Sequence, residues 1–170
     1  MRASAAVALV ALVVAGCGGS SKPSGSTAAR TATTTSTPTA TTVTREQFAA
    51  KLDSICKRGN ALVASTQAEV TKAMNAGDYT AAATATEKIS RDVMPLEAEL
   101  AALTPPPSEQ AAFARYTQAN ARISGLRVRL AKALRANDVA QLRELDALAV
   151  SEQKRRTTAA IDLGTTECGS

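Results

Sequence analysis

Cysteines 17, 56 and 168 carry the most easily named chemistry in this chain, because the sequence contains no histidine at all. Without imidazole the commonest acid–base group and the commonest transition-metal ligand are both missing, so di-metal bundle sites of the Glu-x-x-His type are excluded. No Gly-rich phosphate loop, nucleophile elbow or haem-attachment sequence occurs, and nothing like Cys-x-x-Cys is present. Asp92, Glu97 and Glu99 come nearest to a hard-cation set. Glu97 and Glu99 are two positions apart and point to different sides of a helix, which is the pattern of a solvated face. No carboxylate pair stands out as an acid–base couple. The expectation is a protein that is not an enzyme, with no catalytic residues, no metal and no cofactor.

Two further features could matter to a partner. Arg115, Arg122 and Arg129 fall at seven-residue steps, Lys132 continues the stripe, Arg127 and Arg135 flank it, and Glu109 is the one acid in that stretch. Such a stripe can hold an anionic envelope component, for example a lipid headgroup or a wall polymer. It can equally be a solvated face balanced by acids on a neighbouring helix. The second feature is Pro95, inside a helical pattern, where it removes the donor that would bond the Arg91 carbonyl. The expectation there is a local bend or break with the helix restarted from Asp92 as a cap; a kink that opens a pocket is the alternative.

The positions of the cysteines depend on what surrounds them. Arg2 and the apolar run from Ala5 to Ala15 are too short to span a hydrocarbon core of about 20 residues, yet they fit the h-region of a secretory signal. The run ends in Val14-Ala15-Gly16-Cys17, which resembles a lipobox. On that reading residues 1–16 are removed and Cys17 is lipidated at the new N-terminus; a plain signal peptide beside a chance cysteine is the other option. Residues 17–43 then form a tether of Ser, Thr, Gly, Pro and Ala, with only Lys22 and Arg30 charged. Too little apolar surface is available there to offset ordering entropy, so a disordered coil of roughly 30 Å end-to-end is expected. Its Thr-rich part also offers sites for O-linked sugar.

Composition changes at Thr44. All fifteen Asp and Glu lie beyond it, leaving residues 44–170 with a charge near +2, so the basic balance of the whole chain is mostly signal and tether. A charge that small is no basis for binding nucleic acid. These 127 residues suffice for one core. Phe48, Leu52, Ile55, Leu62, Val63, Val70 and Met74 recur at threes and fours, with Gly59 and Thr66 on the same stripe. Thr44 and Gln47 make a capping box, with Val43 and Phe48 as a hydrophobic staple, opening a helix over residues 44–76. Gly77 ends it and Asp78 caps a second helix that runs to Thr104 before Pro105-Pro106-Pro107. A third helix starts at Ser108; Asn137-Asp138 makes the next turn, with Asp138 and Gln141 as a second capping box; a fourth ends at Gly164.

Lys72–Asp78 matches Lys132–Asp138 at an offset of 60 residues, by duplication or by convergence of two short helical turns. Both connections are short enough to force antiparallel neighbours. The expected fold is therefore an all-α, four-helix, up-down-up-down antiparallel bundle of two αα-hairpins. With Cys17 taken by lipid, Cys56 and Cys168 are left to pair in an oxidising compartment. Counted from the turn end, Cys56 lies roughly 30 Å along its helix and Leu163 roughly 38 Å along the last one, so the tail need fold back by only about one turn. Closing a loop of about 113 residues contributes roughly 4 to 5 kcal/mol in the chain-entropy model.

The lipobox, the Thr/Ser tether, Phe48 with Asp53-Ser54-Ile55-Cys56, the Leu103-Thr104-Pro105-Pro106 break and the ending Leu163-Gly164-Thr165-Thr166-Glu167-Cys168-Gly169 resemble a group of small lipoproteins of actinobacterial type. That resemblance implies a lipid-anchored helical domain on the extracytoplasmic face of the cell membrane, with paired cysteines. The functional expectation is a non-enzymatic module that binds a ligand, an anionic envelope component or another protein. The alternative is a structural or envelope-assembly protein with no small ligand.

Overall fold

The computed structural model describes residues 43–169. The signal segment 1–16, Cys17 and the tether up to Thr42 lie outside the described residues. Four helices follow one another, α1 Arg45–Asn75, α2 Tyr79–Ala101, α3 Gln110–Ala136 and α4 Val139–Asp162, with a 3-10 turn at Pro107–Glu109 leading into α3. There is no strand among the described residues. The fold is the expected antiparallel bundle of two αα-hairpins.

Each helix boundary has a local cause. Thr44 Oγ1 accepts from the Gln47 amide at 3.2 Å and Gln47 Oε1 accepts from the Thr44 amide at 3.0 Å, which completes the capping box of α1. Val43 packs on the cluster that contains Phe48, as a staple should. At the far ends of α1 and α3 the chain makes the same turn twice. Gly77 (φ 71°) and Asn137 (φ 51°) take the left-handed conformation, and the next amide, Asp78 or Asp138, donates back to the carbonyl of Ala73 or Ala133. The carboxylates of Asp78 and Asp138 then cap α2 and α4 by accepting from the amides of Ala81 at 2.8 Å and Gln141 at 3.0 Å. The Asp138–Gln141 capping box is therefore only half formed, since the Asp138 amide is already committed to α3.

Three sequence expectations are corrected. First, α2 ends at Ala101 and not at Thr104, because the residue before Pro105 is driven out of the helical region and the turn ahead of it unwinds. Residues 107–109 likewise form a 3-10 turn, so α3 begins at Gln110 and not at Ser108. Second, α2 runs through Pro95 without a break, and Asp92 does not restart it. Its carboxylate instead accepts from Lys88 Nζ at 2.7 Å, one turn back. Third, Leu62 is 36% exposed and lies off the buried stripe that Ile55 and Thr66 define.

The core is divided. At one end Phe48, Leu52, Leu100, Phe113, Tyr116 and Leu163 pack around the cysteines, with Phe48 and Phe113 edge to face at 5.2 Å between ring centres. At the turn end a second cluster is built largely of alanines with Leu134, Leu142 and Leu145, whose small side chains let the backbones approach closely. Cys56 and Cys168 are joined by a disulfide with Cα atoms 5.0 Å apart. The tail folds back as the helix lengths require. Gly164 (φ 71°) ends α4 with the same turn, and Asp53, one helical turn before Cys56, accepts from the amides of Thr166 at 3.0 Å and Glu167 at 2.8 Å.

Candidate functional site

Outside the two apolar clusters the bundle also buries Ile55, Ile89 and Val93, together with the polar Thr66 and Thr86. Helix packing runs in series from α1 to α2, α2 to α3 and α3 to α4, while α1 and α4 meet sparsely apart from the disulfide and its tail. Two concave regions result. A groove of about 550 Å³ lies between α3 and α4, lined by Arg115, Arg122, Glu152, Lys154 and Arg155 among others. A smaller interhelical cavity of about 60 Å³ lies beside the Pro95 segment, with Gly59, Val63, Leu96, Glu97, Asn120 and Arg127 in its wall.

The groove contains part of the arginine stripe. The side chains of Arg115, Arg122 and Arg129 are about half exposed, and each reaches a carboxylate on α4: Asp162 at 2.9 Å, Glu152 at 3.2 Å and Glu144 at 3.9 Å. Lys132 is exposed, lies outside the groove, and has no salt bridge among the described residues. The seven-residue step of the arginines on α3 thus matches acids placed along its neighbour. Pairing does not neutralise the surface, because Glu152 accepts from Arg155 at 2.8 Å as well as from Arg122 and so serves two guanidiniums with one oxygen. Lys154 adds a further cation to the groove. Glu152 itself is 9% exposed, an acid buried beneath cations where the α4 stripe could have carried an apolar residue. Composition counted the stripe; it gave no sign that Arg155 and Lys154 would sit beside it.

Nearer the interior, Arg127 is largely buried and its pKa is pushed down, first by desolvation, with Arg156 adding repulsion and Glu97 opposing. The Glu97 carboxylate accepts from Ser124 and stands 3.9 Å from the guanidinium, beyond hydrogen-bond reach. The Tyr116 hydroxyl, whose pKa burial raises, donates to the disulfide sulfur of Cys56 at 3.1 Å. Asp92, Glu97 and Glu99 do not converge: they are held by Lys88, by Ser124 and by Arg58 respectively. No cluster of three metal-ligand side chains occurs among the described residues, and no helix there is long and apolar enough to cross a membrane.

Compared with protein families, with curated proteins and with solved structures, the chain matches none. Fold and site together define a disulfide-closed four-helix bundle with a basic groove on its α3–α4 face.

Proposed function

We propose that the chain is exported, cleaved before Cys17 and held by lipid on that residue to the outer face of the cell membrane, where its bundle acts as a non-enzymatic binding module for an anionic component of the envelope. The α3–α4 groove is the observation that carries this. Arg115, Arg122, Lys154 and Arg155 line one concave surface, and Asp162 and Glu152 between them do not balance four cations. Anchoring through Cys17 would keep such a surface close to headgroups and to polymers rooted near them.

The test is sedimentation of the full chain, with Cys17→Ser to remove the anchor, on vesicles of anionic or zwitterionic phospholipid and on a soluble polyphosphate. Binding to the anionic probes should fall steeply with added salt. Arg122→Glu together with Arg155→Glu should weaken it by roughly tenfold or more. Equal binding to zwitterionic vesicles, or no effect of the double reversal, would refute the groove. The ion pairs across α3 and α4 favour a second role, a structural one in which the stripe merely joins two helices. That role predicts no binding to any anionic probe.

A further inference from the structure

We propose that the anionic component taken by the groove is the lipid bilayer itself, so that the α3–α4 face lies on phospholipid headgroups with Val150 and Ile161 reaching between them; this deepens the groove reading and rests on it. Val150 is 49% and Ile161 67% exposed. They share one side of α4 with positions 154 and 158, at steps of four, four and three residues, and Lys154 and Thr158 line the groove. An apolar side chain alone on a surface is ordinary. Two of them on a stripe with cations make the pattern of a helix that lies in an interface, where basic groups meet headgroups and apolar ones enter the acyl boundary.

Charge along this face is one-sided. Helix α3 contains no acid, and between Val150 and Ile161 the one acid is Glu152, which is 9% exposed and already engaged by Arg122 and Arg155. Lys154 has no salt bridge among the described residues. Asp162 closes the face at one end, where it pairs with Arg115. The chain joins the bundle at that same end: Arg45 donates to the Asp162 carbonyl at 2.8 Å, so the segment that leads back to Cys17 begins beside the groove. Residues 17–43 have no charge to offer the groove, since Lys22 and Arg30 are their only charged side chains. A second copy docked face to face would set the same cations against each other. A soluble polyanion would match the cations and leave Val150 and Ile161 in water, whereas a bilayer covers both.

The chain has no tryptophan, so a single introduced indole reports its own surroundings. The test places Ile161→Trp in the mature chain, residues 17–170 with Cys17→Ser. Its control is Met94→Trp on α2, which is 63% exposed and takes no part in the groove. On vesicles of phosphatidylglycerol and phosphatidylcholine, Ile161→Trp should shift its emission to shorter wavelength and be quenched by lipids brominated in the acyl chain. Met94→Trp should show neither effect, and nor should Ile161→Trp on phosphatidylcholine alone. Val150→Ser with Ile161→Ser, both at exposed positions, should weaken binding to the anionic vesicles by roughly tenfold and leave polyphosphate binding unchanged. Polyphosphate binding without a spectral change in Ile161→Trp on vesicles would overturn the bilayer and leave the groove reading standing. Equal changes in Met94→Trp, or full vesicle affinity in the serine variant, would also overturn it. Failure of every anionic probe to bind would remove both.

Discussion

Gly77, Asn137 and Gly164 occupy the left-handed region, at the ends of α1, α3 and α4, and each is followed by an amide that closes the turn onto the preceding helix. A side chain at Gly77 meets nothing within 4 Å, so the only obstacle to one is the backbone. Gly77→Ala should therefore lower stability by about 1 to 2 kcal/mol, whereas Asn137→Gly should leave it within about 0.5 kcal/mol, because Asn already tolerates this conformation. Gly125 gives the contrast: it lies inside α3 with open space around it. Gly125→Ala should raise stability by about 0.5 to 1 kcal/mol. Urea unfolding midpoints read all three. At Tyr116 the effect depends on pH. Burial raises its pKa above the ordinary value of 10.0, so the folded phenol stays neutral after the unfolded one has begun to ionise. Its stabilising contribution is complete below that value and is lost as pH rises through the folded pKa. Tyr116→Phe should flatten the alkaline fall in unfolding free energy, measured from pH 9 to 11 with the wild-type chain alongside. Glu99 acts at the other end of the scale. Its hydrogen bond from Arg58 lowers its pKa, so the benefit is present above the ordinary value of 4.5 and is lost as pH falls through the folded one.

At the scale of elements, α1 and α4 are neighbours chiefly because their far ends are tied together. The Cys56–Cys168 bond, with Asp53 holding the Thr166 and Glu167 amides, completes a bundle whose helices otherwise pack in series. Cys56→Ala with Cys168→Ala should therefore lower the unfolding free energy by about 4 to 5 kcal/mol in the chain-entropy model. The first amides to lose protection from hydrogen exchange should be those of Thr166 and Glu167, while the hairpin turns at Gly77 and Asn137 stay protected. If the variant unfolded at the wild-type urea midpoint, the tie would be redundant. The turns were visible in the sequence because Gly-Asp and Asn-Asp supply a left-handed residue followed by a cap. The path of α2 through Pro95 was not. A proline breaks a helix when nothing else holds it, and here Val93 and Leu100, on either side, are buried and hold the backbone helical.

At the scale of the molecule, the charge has two addresses. The surplus that composition shows belongs mostly to residues before Thr44, while the folded part places Arg115, Arg122, Lys154 and Arg155 with Glu152 in one groove. Anchoring through Cys17 would place that groove near a surface, and it has its own test. The mature chain should have the mass of residues 17–170 plus a diacylglyceryl group, and should partition into detergent. Cys17→Ser should abolish both. A soluble product beginning elsewhere would remove the anchor from the proposal while leaving the bundle untouched.

By itself the sequence determined the elements and their order: periodicity set the stripes, Thr44, Asp78 and Asp138 set the starts, and short connections set antiparallel neighbours. It also determined which thiols were left to pair, since helix lengths place Cys56 and the tail at one level. Those are local properties, fixed by residues within a few positions of one another or by simple length. Only the tertiary structure decided which stripe residues were truly inside, as Leu62 and Glu152 show, because burial depends on the angle at which helices meet. It alone placed Glu152 between two arginines, held Glu97 on Ser124 at a distance from Arg127, and left a cavity walled by residues of all four helices. Arg155 lies one helical turn from Glu152, but the other contacts join residues 27 to 30 positions apart, and no periodicity within one helix encodes those.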